Sequence, residues 1–228
     1  MRRAEPAAAP KDSNEAVNHR TIVGHQRRAK TEAKIIEAAL GVFAEKGRDA
    51  PVIDDFIKAA GIARGTFYNH FKSVSELLEA TSTWLTDDLV ESIEPEINPI
   101  EDPVLRHATG LRLWMKKAET DAAWCGFVAT FWFRGGFGRK EPLNDIKAGI
   151  KSGDFTCTDS NVAFDMVMGT IRQGMTRLME DPKLRSRKGY GDKIVRVILQ
   201  GLGVNPAKIE EVLARPLPDL RRPTRSVS

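Results

Sequence analysis

The stretch from Ile53 to Phe71, IDDFIKAAGIARGTFYNHF, decides the fold. Its first half places Ile53, Phe56, Ile57 and Ala60 at the spacing that gathers apolar side chains on one face of a helix. Pro51 stands well at the start of that helix and Gly61 stops it. A second short helix over roughly Ala63 to Phe71 follows. Two short helices joined by a glycine turn have the size and order of a helix-turn-helix unit, whose second helix enters the major groove of DNA.

Docked in that way, the second helix presents Ala63, Arg64, Gly65 and Thr66 to base edges and keeps Tyr68, Asn69, His70 and Lys72 nearer the phosphates. Arg64 is the best candidate for direct readout, because a guanidinium can donate two parallel hydrogen bonds to a guanine edge. The alternative for Arg64 is a solvated charge, and its place at the start of the helix favours DNA. Gly65 has no side chain to hold the helix away from the groove. Phe67 and Phe71 suit the core, Tyr68 on the other face suits DNA, and His70 fits a local structural role better than base reading.

Outward from this unit the pattern stays helical. Ile35, Ile36, Ala39, Leu40 and Phe43 form one apolar stripe of a first helix from about Arg27 to Lys46, closed by Gly47. Its start is basic. Between Arg20 and Lys34 stand Arg20, Arg27, Arg28, Lys30 and Lys34 against Glu32 alone, which equals the whole net charge of +4. Arg27 and Arg28 are candidates for a minor-groove arm or for phosphate contacts. After the unit, Ser73 and Glu76 form a capping box that opens a helix towards Ile93.

These signals divide the chain into a disordered arm (1–24), a DNA-binding domain (25–72), a connecting helix (73–94), a helical regulatory and dimerisation domain (95–215) and a flexible tail (216–228). Pro95, Pro99 and Pro103 mark a hinge between the two domains. Beyond it helices are expected over about 104–119, 122–133, 143–150 and 161–180, with a last one ending at Gly203 and a loop at RGGFGRKEP, 134–142. No alternating strand pattern of useful length occurs, so the class is all-α. The segment WCGFVATFWF, Trp124 to Phe133, is apolar nearly all round and calls for burial on most sides.

Trp114, Trp124, Phe127, Phe131, Phe164 and Met168 would suit a hydrophobic ligand pocket between helices, with plain core packing as the alternative for each. Met168, Ile171, Met175, Ile194 and Ile198 lie on two long stripes with the character of helices that pair with copies of themselves. A twofold dimer is expected, since one recognition helix reads too few base pairs, whereas two half-sites read a palindrome.

From Arg27 to Leu78 the sequence resembles the DNA-binding domain of the TetR family of tetracycline-repressor-like regulators. The likeness is carried by AALGVFAEKG (Ala38 to Gly47), AAGIARGTFYNHF (Ala59 to Phe71) and KSVSELL (Lys72 to Leu78), in an order specific to that family. The resemblance implies a homodimer that represses transcription from a DNA operator and is released by a small, largely hydrophobic effector held in the C-terminal domain. It also implies that Thr66 touches DNA and that Tyr68 and His70 contact or position phosphates. Ile57, Ala63, Val74 and the pair Pro51-Val52 depart from the family pattern, where a small alanine, a capping serine, a phosphate-binding lysine and a capping Thr or Ser are usual.

Other function classes find little support. No nucleophile with a nearby base, paired carboxylates or metal ligands stand out, and WFRGGFG lacks the strand and lysine of a phosphate loop. No catalytic site, cofactor or metal is expected. Asp54 and Asp55 are adjacent at a helix start, where acids suit the helix dipole. Cys125 and Cys157 are in no metal or redox spacing, and no apolar run of membrane-spanning length occurs, so a cytoplasmic home without membrane contact is expected. The alternative function is an architectural or partner-binding helix-turn-helix protein without a small-molecule inducer.

Overall fold

A computed structural model describes residues 12–47, 50–131, 140–187 and 189–219. Among the described residues the chain is all helix, as the pattern predicts, and no strand occurs. The order is α1 (Asp12–Lys46), α2 (Ile53–Ala60), α3 (Arg64–Tyr68), α4 (Val74–Ile97), α5 (Pro103–Thr120), α6 (Ala122–Phe131), α7 (Lys140–Ser152), α8 (Ser160–Glu180), a 3-10 turn (Pro182–Ser186), α9 (Tyr190–Gly201) and α10 (Pro206–Ala214).

Four boundaries differ from expectation. α1 starts at Asp12 rather than near Arg27, so residues 12–24 of the expected disordered arm are helical, while 1–11 lie outside the described residues. No proline or glycine occurs between Asp12 and Val23, so a helix nucleated downstream propagates through them without paying a second nucleation cost. Pro95 does not break α4, which continues to Ile97 and leaves only 98–102 as the link. α7 takes in Lys140, Glu141 and Pro142 from the expected loop; 132–139, including Trp132 and Phe133, lie outside the described residues. Pro142 falls in the first turn, where its missing amide has no helical partner to lose.

The fourth difference is α10, which the sequence reading missed. Asn205 caps it, accepting from the Ala207 amide at 2.9 Å, and Pro206 occupies the first helical position. Ile209 and Val212 turn inward. Arg112 of α5, itself buried, pins this end of the chain. Its Nε donates to Asp192 of α9 at 2.8 Å, and its Nη1 donates to the carbonyls of Val212 and Arg215 at 3.2 and 2.8 Å.

The core runs without a break from the first three helices into the rest of the molecule. Phe43 of α1 touches Phe56 of α2 at 5.0 Å between ring centroids, and on its other side meets Phe127 and Phe131 of α6 at 5.8 and 5.4 Å. α6 can lie this close because Gly126 faces α1. A Cβ there would stand 3.0 Å from the Ala44 Cβ and 2.8 Å from the Met179 Cε. The all-round apolar character of α6 is thereby explained: Trp124, Cys125, Phe127, Val128 and Phe131 are all buried, between α1 on one side and α5 and α8 on the other.

His107 of α5 is buried beside Phe155, at 5.9 Å between rings. Burial, with Arg106 adjacent, lowers it from 6.5 to about 4. Between those values the unfolded chain takes up a proton that the folded chain refuses. Stability is therefore full above pH 6.5 and falls as pH drops towards 4, by up to about 1.4 kcal/mol per pH unit. Urea unfolding at pH 7.5 and 5.0 is expected to show a loss of about 2 kcal/mol that His107→Leu abolishes. An equal loss in both proteins would place the acid sensitivity elsewhere.

Candidate nucleic-acid interface

The departures from usual capping at the start of α2 are compensated locally. Val52 occupies the cap position with no side-chain acceptor to offer, and Pro51 sits one residue earlier, outside the helix. Asp55 supplies the missing interaction in reverse, accepting from the Val52 amide at 2.9 Å and from Lys46 Nζ at 2.6 Å. The lysine, then the amide, hold its carboxyl below the usual carboxylate range. Gly61 turns the chain at φ +59°, the left-handed region that glycine adopts without strain.

α3 is a single turn and a half, held by Phe67 N–H donating to the Ala63 carbonyl at 3.2 Å and Phe71 N–H donating to that of Phe67 at 2.9 Å. Ala63 caps it without a side-chain bond. Phe67 and Phe71 are 0% and 3% exposed, so the helix is anchored from below. The opposite face carries Arg64, Gly65, Tyr68 and Asn69 in the open, with Thr66 half-buried beside them. Nothing lies within 4 Å of where a Gly65 Cβ would be, which leaves that stretch of backbone open to a ligand.

Three of the residues expected at DNA engage protein instead or as well. Arg64 Nη2 donates to Asp54 Oδ1 at 2.5 Å across the turn. Arg28 Nη2 donates at 3.3 Å to the carbonyl of Asn69, tying α1 to the end of α3. His70 is turned inward, its side chain 6% exposed and its Nδ1 3.5 Å from Glu32 Oε2 of α1. This placement against α1 suits the local structural role expected of His70 better than base reading. Arg27 and Lys72 are exposed. The capping box after them differs in one detail. Ser73 Oγ accepts from the Glu76 amide at 3.2 Å, but Glu76 returns to the amide of Lys72, at 2.7 Å, one residue earlier than foreseen.

Asp54 and Glu32 were missed as members of this surface. Asp54 was readable only as a dipole-matched acid, and Glu32 only as the lone acid in a basic run. What brings each to its partner is the turn at Gly61 and the crossing of α1 over α3, which no local spacing encodes.

In the rest of the chain, Trp124, Phe127, Phe131 and Phe164 of the expected pocket are buried, while Trp114 and Met168 are half-buried. Phe127 and Phe131 are spent on Phe43, so they bind the molecule together. Trp114 and Trp124 meet edge to face at 5.4 Å. Of the expected dimer residues, Ile171, Met175 and Ile198 are inside the protomer, because the apolar stripes of α8 and α9 pack on α5 and α6 and on each other. Ile194 and Met168 are half-buried.

Residues 35–81 match the family described as "Bacterial regulatory proteins, tetR family". The regulator CymR of Pseudomonas putida is 39% identical over 83 residues, 36% of this chain and 41% of that protein. An uncharacterised HTH-type regulator of Bacillus subtilis, YvdT, is 39% identical over 69 residues, 30% of this chain and 36% of that protein. The chain thus spans about two fifths of the length of these relatives. Two solved structures match along most of the chain: RolR bound to resorcinol, with TM-score 0.62 and 24% identity over 86% of this chain and 100% of that one, and SmeT, repressor of the Stenotrophomonas maltophilia efflux pump SmeDEF, with TM-score 0.63 and 20% identity over 83% and 100%. At these identities the structures speak for the fold alone. Over residues 35–81, whose helix-turn-helix geometry is that described above, the chain is similar to the tetR family of bacterial regulatory proteins.

Proposed function

We propose that the chain is a homodimeric transcriptional repressor that binds a palindromic operator through α3 of each copy and is released by a small, largely hydrophobic effector. The observation that carries this reading is the two-sided character of α3: Phe67 buried beneath it, Arg64 and Tyr68 exposed above it, and a glycine between them. That division is what a helix needs to be held rigidly while it reaches into a groove. SmeT is named a repressor and RolR holds resorcinol, a small aromatic molecule, on the same fold.

An effector seat beside the Trp114–Trp124 pair agrees with this. Trp124 Nε1 is buried without a hydrogen-bond partner, a polar atom in an apolar interior that an oxygen-bearing aromatic could satisfy. For the dimer, the outer faces of α8 and α9 offer Val162 and Val197, which are 66% and 58% exposed.

The test is selection of bound duplexes from a random pool, followed by affinity against salt. A palindrome with a steep salt slope is expected. No enrichment would transfer the weight to an architectural or protein-partner role. With the selected duplex in hand, Arg64→Ala is expected to cost about 1–3 kcal/mol of discrimination at one base pair per half-site. Tyr68→Phe should instead weaken binding to all duplexes alike, by about 1 kcal/mol. The reverse pattern would exchange the two roles.

A further inference from the structure

Asp54 and Asp55 stand side by side at the start of α2, and their surroundings differ. Asp55 is fully occupied by the Val52 amide and Lys46. Asp54 reaches away from its own helix to Arg64, 2.5 Å from Nη2. Both members of that pair are open to solvent, 55% and 61% exposed, so as a stabilising ion pair it is worth little. It also places a carboxylate beside the surface that would face phosphates, which costs affinity for any DNA.

The geometry of the guanidinium supplies a reason for the pair. An arginine has two edges with paired donors, Nε with Nη2 and Nη1 with Nη2, and each Nη2 proton belongs to only one of them. A single Nη2 proton given to Asp54 Oδ1 therefore leaves one two-donor edge whole, the arrangement that matches O6 and N7 of guanine. An unheld arginine has four flexible torsions and is drawn to any phosphate in reach. The carboxylate opposes both tendencies.

We propose that Asp54 is a positioning residue for sequence reading: it orients Arg64 towards a base edge and away from the phosphates, at a cost in general DNA affinity. This rests on the assignment of Arg64 to base reading made above. The proposal requires preference and affinity to move in opposite directions, which neither a purely structural role nor a simple charge effect would produce.

The experiment compares the full chain with Asp54→Asn, Arg64→Ala and the double variant, by random-duplex selection and by titration of the selected duplex and its single-position variants. Thermal unfolding of each protein runs alongside. Asp54→Asn is expected to melt as the original chain does and to bind unrelated duplexes more tightly. It should lose about tenfold in preference at the same base pair that Arg64→Ala relaxes. In the Arg64→Ala background it should change no preference. A motif that stays sharp in Asp54→Asn, or relaxes equally with and without Arg64, overturns this proposal alone. If the original chain enriches no sequence, the DNA-reading function falls and this proposal with it.

Discussion

Phe43→Ala is expected to lower stability by about 3–5 kcal/mol and the melting temperature by roughly 10–15 °C. Phe43 is completely buried and meets three aromatic rings from two other helices. Removing its ring opens a cavity between α2 and α6, which pack against it from two sides. A melt followed by circular dichroism checks the size of the loss. Phe43→Leu, which keeps most of the volume, should lose well under half as much. A loss under about 1 kcal/mol for the alanine variant would mean that the two halves of the molecule do not depend on this contact.

Arg112→Leu is expected to cost about 3 kcal/mol and to loosen one end of the chain before the rest. The substitution leaves the buried Val212 carbonyl and the Arg215 carbonyl without the donor they share, and leaves Asp192 unpaired. Asp192 is 42% exposed and can recover much of its hydration, so the penalty lies mainly in the carbonyls and in the undocking of α10. Hydrogen exchange should show the amides of 206–215 opening well below the global unfolding free energy. Uniform exchange across the whole chain would show that α10 is held by Ile209 and Val212 alone.

The helix-turn-helix part of the fold was legible because its signals are local. The spacing of Ile53, Phe56 and Ala60, the glycine at 61 and the Ser73–Glu76 pair each fix a helix or its end within a few residues. α10 was hidden although Asn205-Pro206 announces a helix start, because only Ile209 and Val212 are buried, too few for a periodic stripe. The α8 and α9 stripes were seen, but a stripe does not say whether it faces the chain's own core or a second copy. Ile171, Met175 and Ile198 turned out to face the core. In the same way the composition of α6 predicted burial, yet only the approach of α1 at Gly126 reveals what buries it.

The 35 residues of α1 form one uninterrupted rod, clamped near its C-terminal end by Phe43 against α6 and carrying Arg28 beside the end of α3. Fifteen residues separate Phe43 from Arg28, about 22 Å of helix. Between them Ile35, Ile36, Ala39 and Leu40 lie in the same core, so the rod is seated along this whole length. One straight element thus joins the aromatic packing on α6 to the carbonyl that ends α3.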